Sequence, residues 1–159
     1  MSAFSHLRVS SEYSISQGLL TINQIVDNAS KKSIPSVALT DKSNMFGLVK
    51  FFDKCELAGI KPISGCSLNV IFDGDDDSHE LLCLAKTNNG HKNLMKIISS
   101  AHNNYSYSSP IIQFKDLTEL KDDIVVISGG KNSHIFEYLR RNNRACLLYT
   151  SDAADEVDR

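Results

Sequence analysis

A short apolar run that hands an acid to a loop and then to a helix constrains this chain more than any other feature. Ser36 to Thr40 is almost continuously apolar, Asp41 follows at once, and the segment continues through SNMFGLVKFFDKCELAG to Gly59. Such a run reads as a strand covered on both faces, with no solvent side to alternate against. An acid at the end of a buried strand stands where α/β proteins build their sites. The segment His6–Ser14 (HLRVSSEYS) has the same form: Leu7 and Val9 alternate with polar neighbours as in a half-buried first strand, which ends in polar residues.

Around this centre the pattern alternates. Thr21 is placed to cap a helix whose Ile22, Ile25, Val26 and Ala29 recur at helical spacing and which must stop before Pro35. Asn44 is expected to cap a second helix, with Leu48, Val49, Phe52 and Cys55 on its inner side and Gly59 closing it. A strand from Ile63 to Val70, a polar turn at Asp73–Ser78 and a strand at Glu80–Lys86 follow. A helix capped by Asn88 or Asn89 carries Leu94, Ile97, Ile98 and Ala101. After the Tyr105–Pro110 loop come a short helix at Phe114–Leu120, a buried strand at Ile124–Ser128 ending in Gly129–Gly130, and a last helix from His134 to Arg141. This alternation predicts an α/β fold, a parallel sheet or barrel with right-handed crossovers.

Charge and composition exclude several classes. Net charge is −2, but Asp152, Asp155, Glu156 and Asp158 crowd the last residues, so the rest of the chain is near neutral. No basic face of the kind that drives nucleic-acid affinity is visible. No apolar run approaches the roughly 20 residues that span a bilayer, and a cytoplasmic protein with no membrane partner is expected. Cys55, Cys66, Cys83 and Cys146 never form a C-x-x-C pair. The first three read as reduced core residues. Asp75–Asp77 resembles part of a calcium loop but lacks its glycine and closing glutamate, so it reads as an exposed acidic tip. His79 stands beside that tip with no ligand partner at metal spacing, His91 and His102 read as surface residues, and His134 as a helix start. Gly129–Gly130 suits a tight turn or a phosphate cradle.

The last residues read differently. CLLYTSDAADE, Cys146 to Glu156, matches the translation of a transposase-type sequencing adapter, so residues 146–159 are expected to be read-through rather than native chain. Residues 1–145 are then the functional domain.

The order HLRVSSEYS, TDKSNMFGLVKF, AGIKPISG and IVVISGG resembles the N-terminal PHP (polymerase and histidinol phosphatase) domain of bacterial replicative DNA polymerase III alpha subunits. The resemblance implies a distorted (β/α)7 barrel, of which about the first half would be present. Metal-binding members carry an H-x-H pair, a further histidine and a glutamate, and these fall here on Arg8, Ser10, Lys42 and Ser67. Two are cations, which repel a divalent ion as well as failing to bind it. Neither a catalytic nor a metal-binding set is expected, and His6, Glu12 and Asp41 are left as a vestigial pocket. The expectation is an ionic replacement in which Asp41, with Glu12, pairs with Arg8 or Lys42.

By the same resemblance the parent is a DNA-directed DNA polymerase, using magnesium in a domain outside this fragment and meeting DNA through that domain. Its PHP domain would be an inactive scaffold that docks the proofreading exonuclease subunit within the replicative holoenzyme. The alternatives are an active metal-dependent phosphoesterase or exonuclease, and a stand-alone PHP-like adaptor.

Overall fold

The structure, a computed structural model, describes residues 4–15, 17–75, 77–103 and 110–140. Residues 146–159, Arg141 and most of the 105–110 loop, which figure in the sequence reading, lie outside these. Among the described residues, five α-helices and five strands follow one another as α1 (Ile22–Lys31), β1 (Ser36–Leu39), α2 (Leu48–Leu57), β2 (Lys61–Ile71), β3 (His79–Ala85), α3 (Asn88–Asn103), β4 (Ile111–Gln113), α4 (Phe114–Glu119), β5 (Ile124–Ser128) and α5 (His134–Arg140), with a 3-10 turn at Gly130–Asn132 before α5.

α1 forms as its sequence demands. Thr21 accepts from the Gln24 amide, and the Gln24 side chain returns to the Thr21 amide, so a capping box satisfies two otherwise orphaned donors. Its Ile22, Ile25, Val26 and Ala29 are buried.

α2 departs from expectation. Gly47 is its N-terminal boundary. Asn44 instead accepts from the Phe46 amide and donates to the Tyr13 and Lys42 carbonyls, a use that Asn prefers wherever a loop must turn. The buried face is Leu48, Phe51 and Cys55, whereas Val49 is 76% and Phe52 38% exposed. The helix packs on the sheet through the side that carries Phe51 rather than the side that carries Phe52. α3 likewise takes its cap from Thr87, whose Oγ1 accepts from the Asn89 and Gly90 amides, rather than from Asn88 or Asn89.

β2 is the spine of the sheet. Its first half runs parallel to β1, from Ser36 opposite Lys61 to Leu39 opposite Ser64. Its second half is antiparallel to β3, from Gly65 opposite Leu84 to Val70 opposite His79, and its end runs parallel to β4. β5 closes the order β1-β2-β3-β5, antiparallel to β3. The sheet is therefore mixed, which corrects the all-parallel expectation. The physical reason is the short Asp73–Ser78 turn: a parallel return needs a crossover of a dozen or more residues, and a tight turn permits only a hairpin. The His6–Ser14 segment is not a regular strand. It runs beside β1 through isolated pairings, with the Ala38 amide donating to His6 and the Thr40 amide to Val9.

Two apolar clusters result. Ile22, Ile25, Val26, Val37, Leu39, Phe51 and Cys55 pack α1 and α2 against β1. Leu68, Val70, Leu81, Cys83, Leu94, Ile97, Ile112 and Leu117 pack α3 and α4 against the rest of the sheet, and Met45 touches both groups. Cys55, Cys66 and Cys83 are free and buried in these clusters. Burial pushes the Cys55 thiol up to about 11 and Cys83 to about 12, and raises Cys66 as well, so the thiols are inert at neutral pH.

The inward face of α2 gives the first test. Phe51→Ala should cost about 3–5 kcal/mol of stability in urea unfolding. Phe52→Ala should cost well under half of that, and equal losses would mean the helix is rotated from the orientation described.

Candidate functional site

The loop after β1, the middle of β2, the start of β3 and the end of β5 meet at one edge of the sheet, with the His6–Ser14 segment laid across them. The pairings place Lys42 opposite Ser67 and Leu81 opposite Ser128. The four positions to which the resemblance assigns lost metal ligands, Arg8, Ser10, Lys42 and Ser67, all belong to these segments.

Asp41 is 1% exposed and pairs with no cation among the described residues. Its Oδ1 accepts from the Ser11 amide at 2.6 Å and from Ser14 Oγ at 2.7 Å, and its Oδ2 accepts from Ser11 Oγ at 2.7 Å. Ser14 Oγ in turn accepts from the Lys42 amide at 3.0 Å. The carboxylate is thus a clasp that holds the His6–Ser14 segment on β1. Three donors occupy most of the roughly four lone-pair sites a carboxylate offers.

Arg8 is engaged elsewhere. Its Nη2 lies 2.6 Å from Glu80 Oε1, and its Nη1 donates to the Gly129 carbonyl at 3.0 Å. Ser67 Oγ donates to the same Glu80 oxygen. Glu80 is 7% exposed at its side chain while Arg8 is 49% exposed, so the guanidinium caps a buried carboxylate from the solvent side. Gly129 is required here. A Cβ on it would stand 2.1 Å from the Glu80 carbonyl oxygen, and Gly130 follows at φ +74°, so the pair makes a tight turn that brings its carbonyl to Arg8.

The remaining residues of the expected pocket do not join this centre. His6 is exposed and sets its ring edge against Phe4, and Glu12 lies 3.6 Å from Lys50 Nζ. Ser10 is half-buried, and Lys42 contributes its backbone. An ionic replacement is present, but its carboxylate is Glu80 rather than Asp41 or Glu12. Glu80 carries no site role in the sequence reading; an acid set directly before the apolar run Leu81–Leu84 is the available signal, since a buried charge must find a partner. His91 differs from the surface residue expected, being half-buried with Nδ1 2.9 Å from Ser64 Oγ; His102 is exposed as expected, with Nε2 2.8 Å from the Ser43 carbonyl oxygen.

These residues do not fit the metal cluster of the PHP family. A guanidinium stands where a ligand would, its positive charge is already spent on Glu80, and Asp41 is committed to three donors. No step of chemistry through a metal follows from this edge.

The Asp41 clasp can be tested by Asp41→Asn, which removes the charge and turns an amide N–H₂ toward serine donors. The expected loss is about 2–4 kcal/mol, because hydrogen bonds to charged groups are each worth more than neutral ones. Thermal unfolding with no shift would show that the contacts are not formed.

With the geometry in place, comparison with known proteins is informative. The PHP domain family matches residues 6–159. DNA polymerase III subunit alpha of Escherichia coli (strain K12) is 41% identical over 147 residues, covering 91% of this chain and 13% of that protein. The Vibrio cholerae DNA polymerase III subunit alpha is 34% identical over 143 residues, 89% of this chain and 12% of that protein. The chain therefore spans only a small part of the length of these relatives. In three dimensions an amidohydrolase from Chromobacterium violaceum superposes with a TM-score of 0.50 and 21% identity over 62% of this chain and 33% of its own, a likeness of fold alone. The chain belongs to the PHP domain family.

Proposed function

We propose that this chain is the N-terminal PHP module of a DNA polymerase III alpha subunit, catalytically silent in itself, which serves as scaffold and docking surface for the proofreading exonuclease subunit of the replicative holoenzyme. Supporting the placement are the polymerase III relatives, which align with nearly all of this chain and little of their own length. The mixed sheet with its flanking helices is read as part of a distorted (β/α)7 barrel.

One observation carries the silent part of the reading: Arg8 Nη2 lies 2.6 Å from Glu80 Oε1. A hydrolytic PHP site needs imidazoles and carboxylates converging on ions that activate water. Here the positive charge at the strand ends is supplied by the polypeptide. It neutralises a carboxylate but offers no open coordination position and lowers the pKa of no water. What such a centre does is fix geometry, since it joins the start of the chain to β3 and to the end of β5. A domain whose strand ends are locked in this way is suited to presenting a fixed surface. Nucleotidyl transfer, its magnesium ions and the contacts with DNA are assigned to parts of the parent outside these residues, and the parent is placed in the cytoplasm.

The reading is tested on the full-length parent chain. Assayed with manganese on a phosphomonoester and on single-stranded DNA, it should show no hydrolysis above that of its Asp41→Ala variant. Deleting the PHP module should abolish co-elution with the separately purified exonuclease subunit. Manganese-dependent hydrolysis lost on Asp41→Ala would overturn the silent reading, and undiminished co-elution would overturn the docking role.

A further inference from the structure

A second cluster lies on the opposite face of β3. His79 and Glu80 are consecutive in a strand, so their side chains point to opposite sides. Asp75, in the turn between β2 and β3, brings its Oδ2 within 3.2 Å of His79 Nε2 and 3.0 Å of His134 Nε2, the latter at the start of α5. The ligating atoms of all three residues lie within 4.8 Å of one another. The sequence reading took the acidic turn for an exposed tip and His79 for a histidine without partners; the fold supplies the partner His134 from 55 residues beyond His79, at α5.

From this geometry we propose that Asp75, His79 and His134 form a binding site for a zinc-class divalent transition metal ion, bridging the β2–β3 turn and α5.

Four observations support it. The chemistry of the donors is right, because two imidazoles and one carboxylate are a common zinc set that leaves a fourth position for water. The spacing is right, because ligands about 2.0–2.1 Å from a tetrahedral ion stand roughly 3.3 Å apart, close to the two separations found here. The site is built, because His79 and His134 are 9% and 7% exposed and their rings are held by aromatic neighbours. Phe72 stacks on His134 at 4.1 Å and on Phe114 at 4.6 Å, and the two imidazoles meet edge to face at 4.9 Å. Finally, Asp75 Oδ2 is shielded from solvent and faces both ring nitrogens, at 3.2 and 3.0 Å, so that one enclosed oxygen and two imidazoles converge on a common point where a cation would satisfy all three. The inference does not rest on the proposed function, since it concerns the other face of the strand.

The experiment is a titration of the intact chain with zinc against a chromophoric chelator, together with cobalt substitution followed by visible absorption. One zinc ion per chain is expected, with cobalt bands of a four-coordinate site lacking a thiolate charge-transfer band. His79→Gln, His134→Gln and Asp75→Asn should each weaken zinc by more than the roughly 10–100-fold that loss of an outer hydrogen-bond partner costs. Glu80→Gln should leave affinity unchanged, and far-UV circular dichroism verifies that each variant is folded. Absence of stoichiometric zinc, a thiolate band, or affinity that follows Glu80 rather than the histidines would each overturn the assignment. The wild-type cobalt spectrum decides the donor set even if a variant does not fold.

Discussion

Glu80 is a buried carboxylate that directly precedes the apolar run Leu81–Leu84 of β3, and the strand ends of this domain are organised around keeping it satisfied. A buried charge without a partner costs several kcal/mol, so a partner must be held in place. Arg8 supplies it from 72 residues away along the chain, and its second nitrogen reaches the Gly129 carbonyl across a separation of 121 residues. Ser67 adds a hydroxyl from β2. One guanidinium therefore ties the N-terminal segment, β3 and β5 to a common point, with β2 beside them. Asp41 does the complementary work by fastening the same N-terminal segment to β1 through Ser11 and Ser14.

The two anchors bind together parts of the fold that otherwise have separate cores. Among the described residues, the α1, α2 and β1 cluster and the α3, α4 and β3 cluster share Met45 as their one common apolar neighbour. Polar contacts at the sheet edge, with the parallel pairing of β1 and β2, fix how the halves meet. Here protein charges hold that junction. For a module proposed to present a docking surface, rigidity at this junction matters more than reactivity.

Much of this was legible in the sequence, and the exceptions share a cause. The α1 capping box, the buried β1 run and Asp41 at its end follow from local rules, since caps and burial patterns depend on near neighbours. The start of α2 was misplaced because Asn44 can serve a loop turn as well as a helix cap, and only tertiary contact with Tyr13 decides between them. Which side of α2 is buried, with Phe51 inward in place of Phe52, is likewise decided by packing against the sheet. The antiparallel β3 was obscured by the surrounding strand and helix alternation, although the length of the acidic turn dictated a hairpin. In the site, Arg8 and Ser67 were recognised but their partner was not, because the Arg8–Glu80 contact spans distant segments. His79 and His134 escaped for the same reason: ligand spacing along the chain is silent about residues that only folding brings together.

The central claim is that a protein cation, not a metal ion, neutralises the strand-end carboxylate. Crystals of the domain soaked in manganese and measured at its absorption edge test this most directly. The expected result is no anomalous peak beside Asp41 or Glu80, with the Arg8 guanidinium still within hydrogen-bond distance of Glu80. A strong peak within about 2.5 Å of either carboxylate, with Arg8 displaced into solvent, would contradict it.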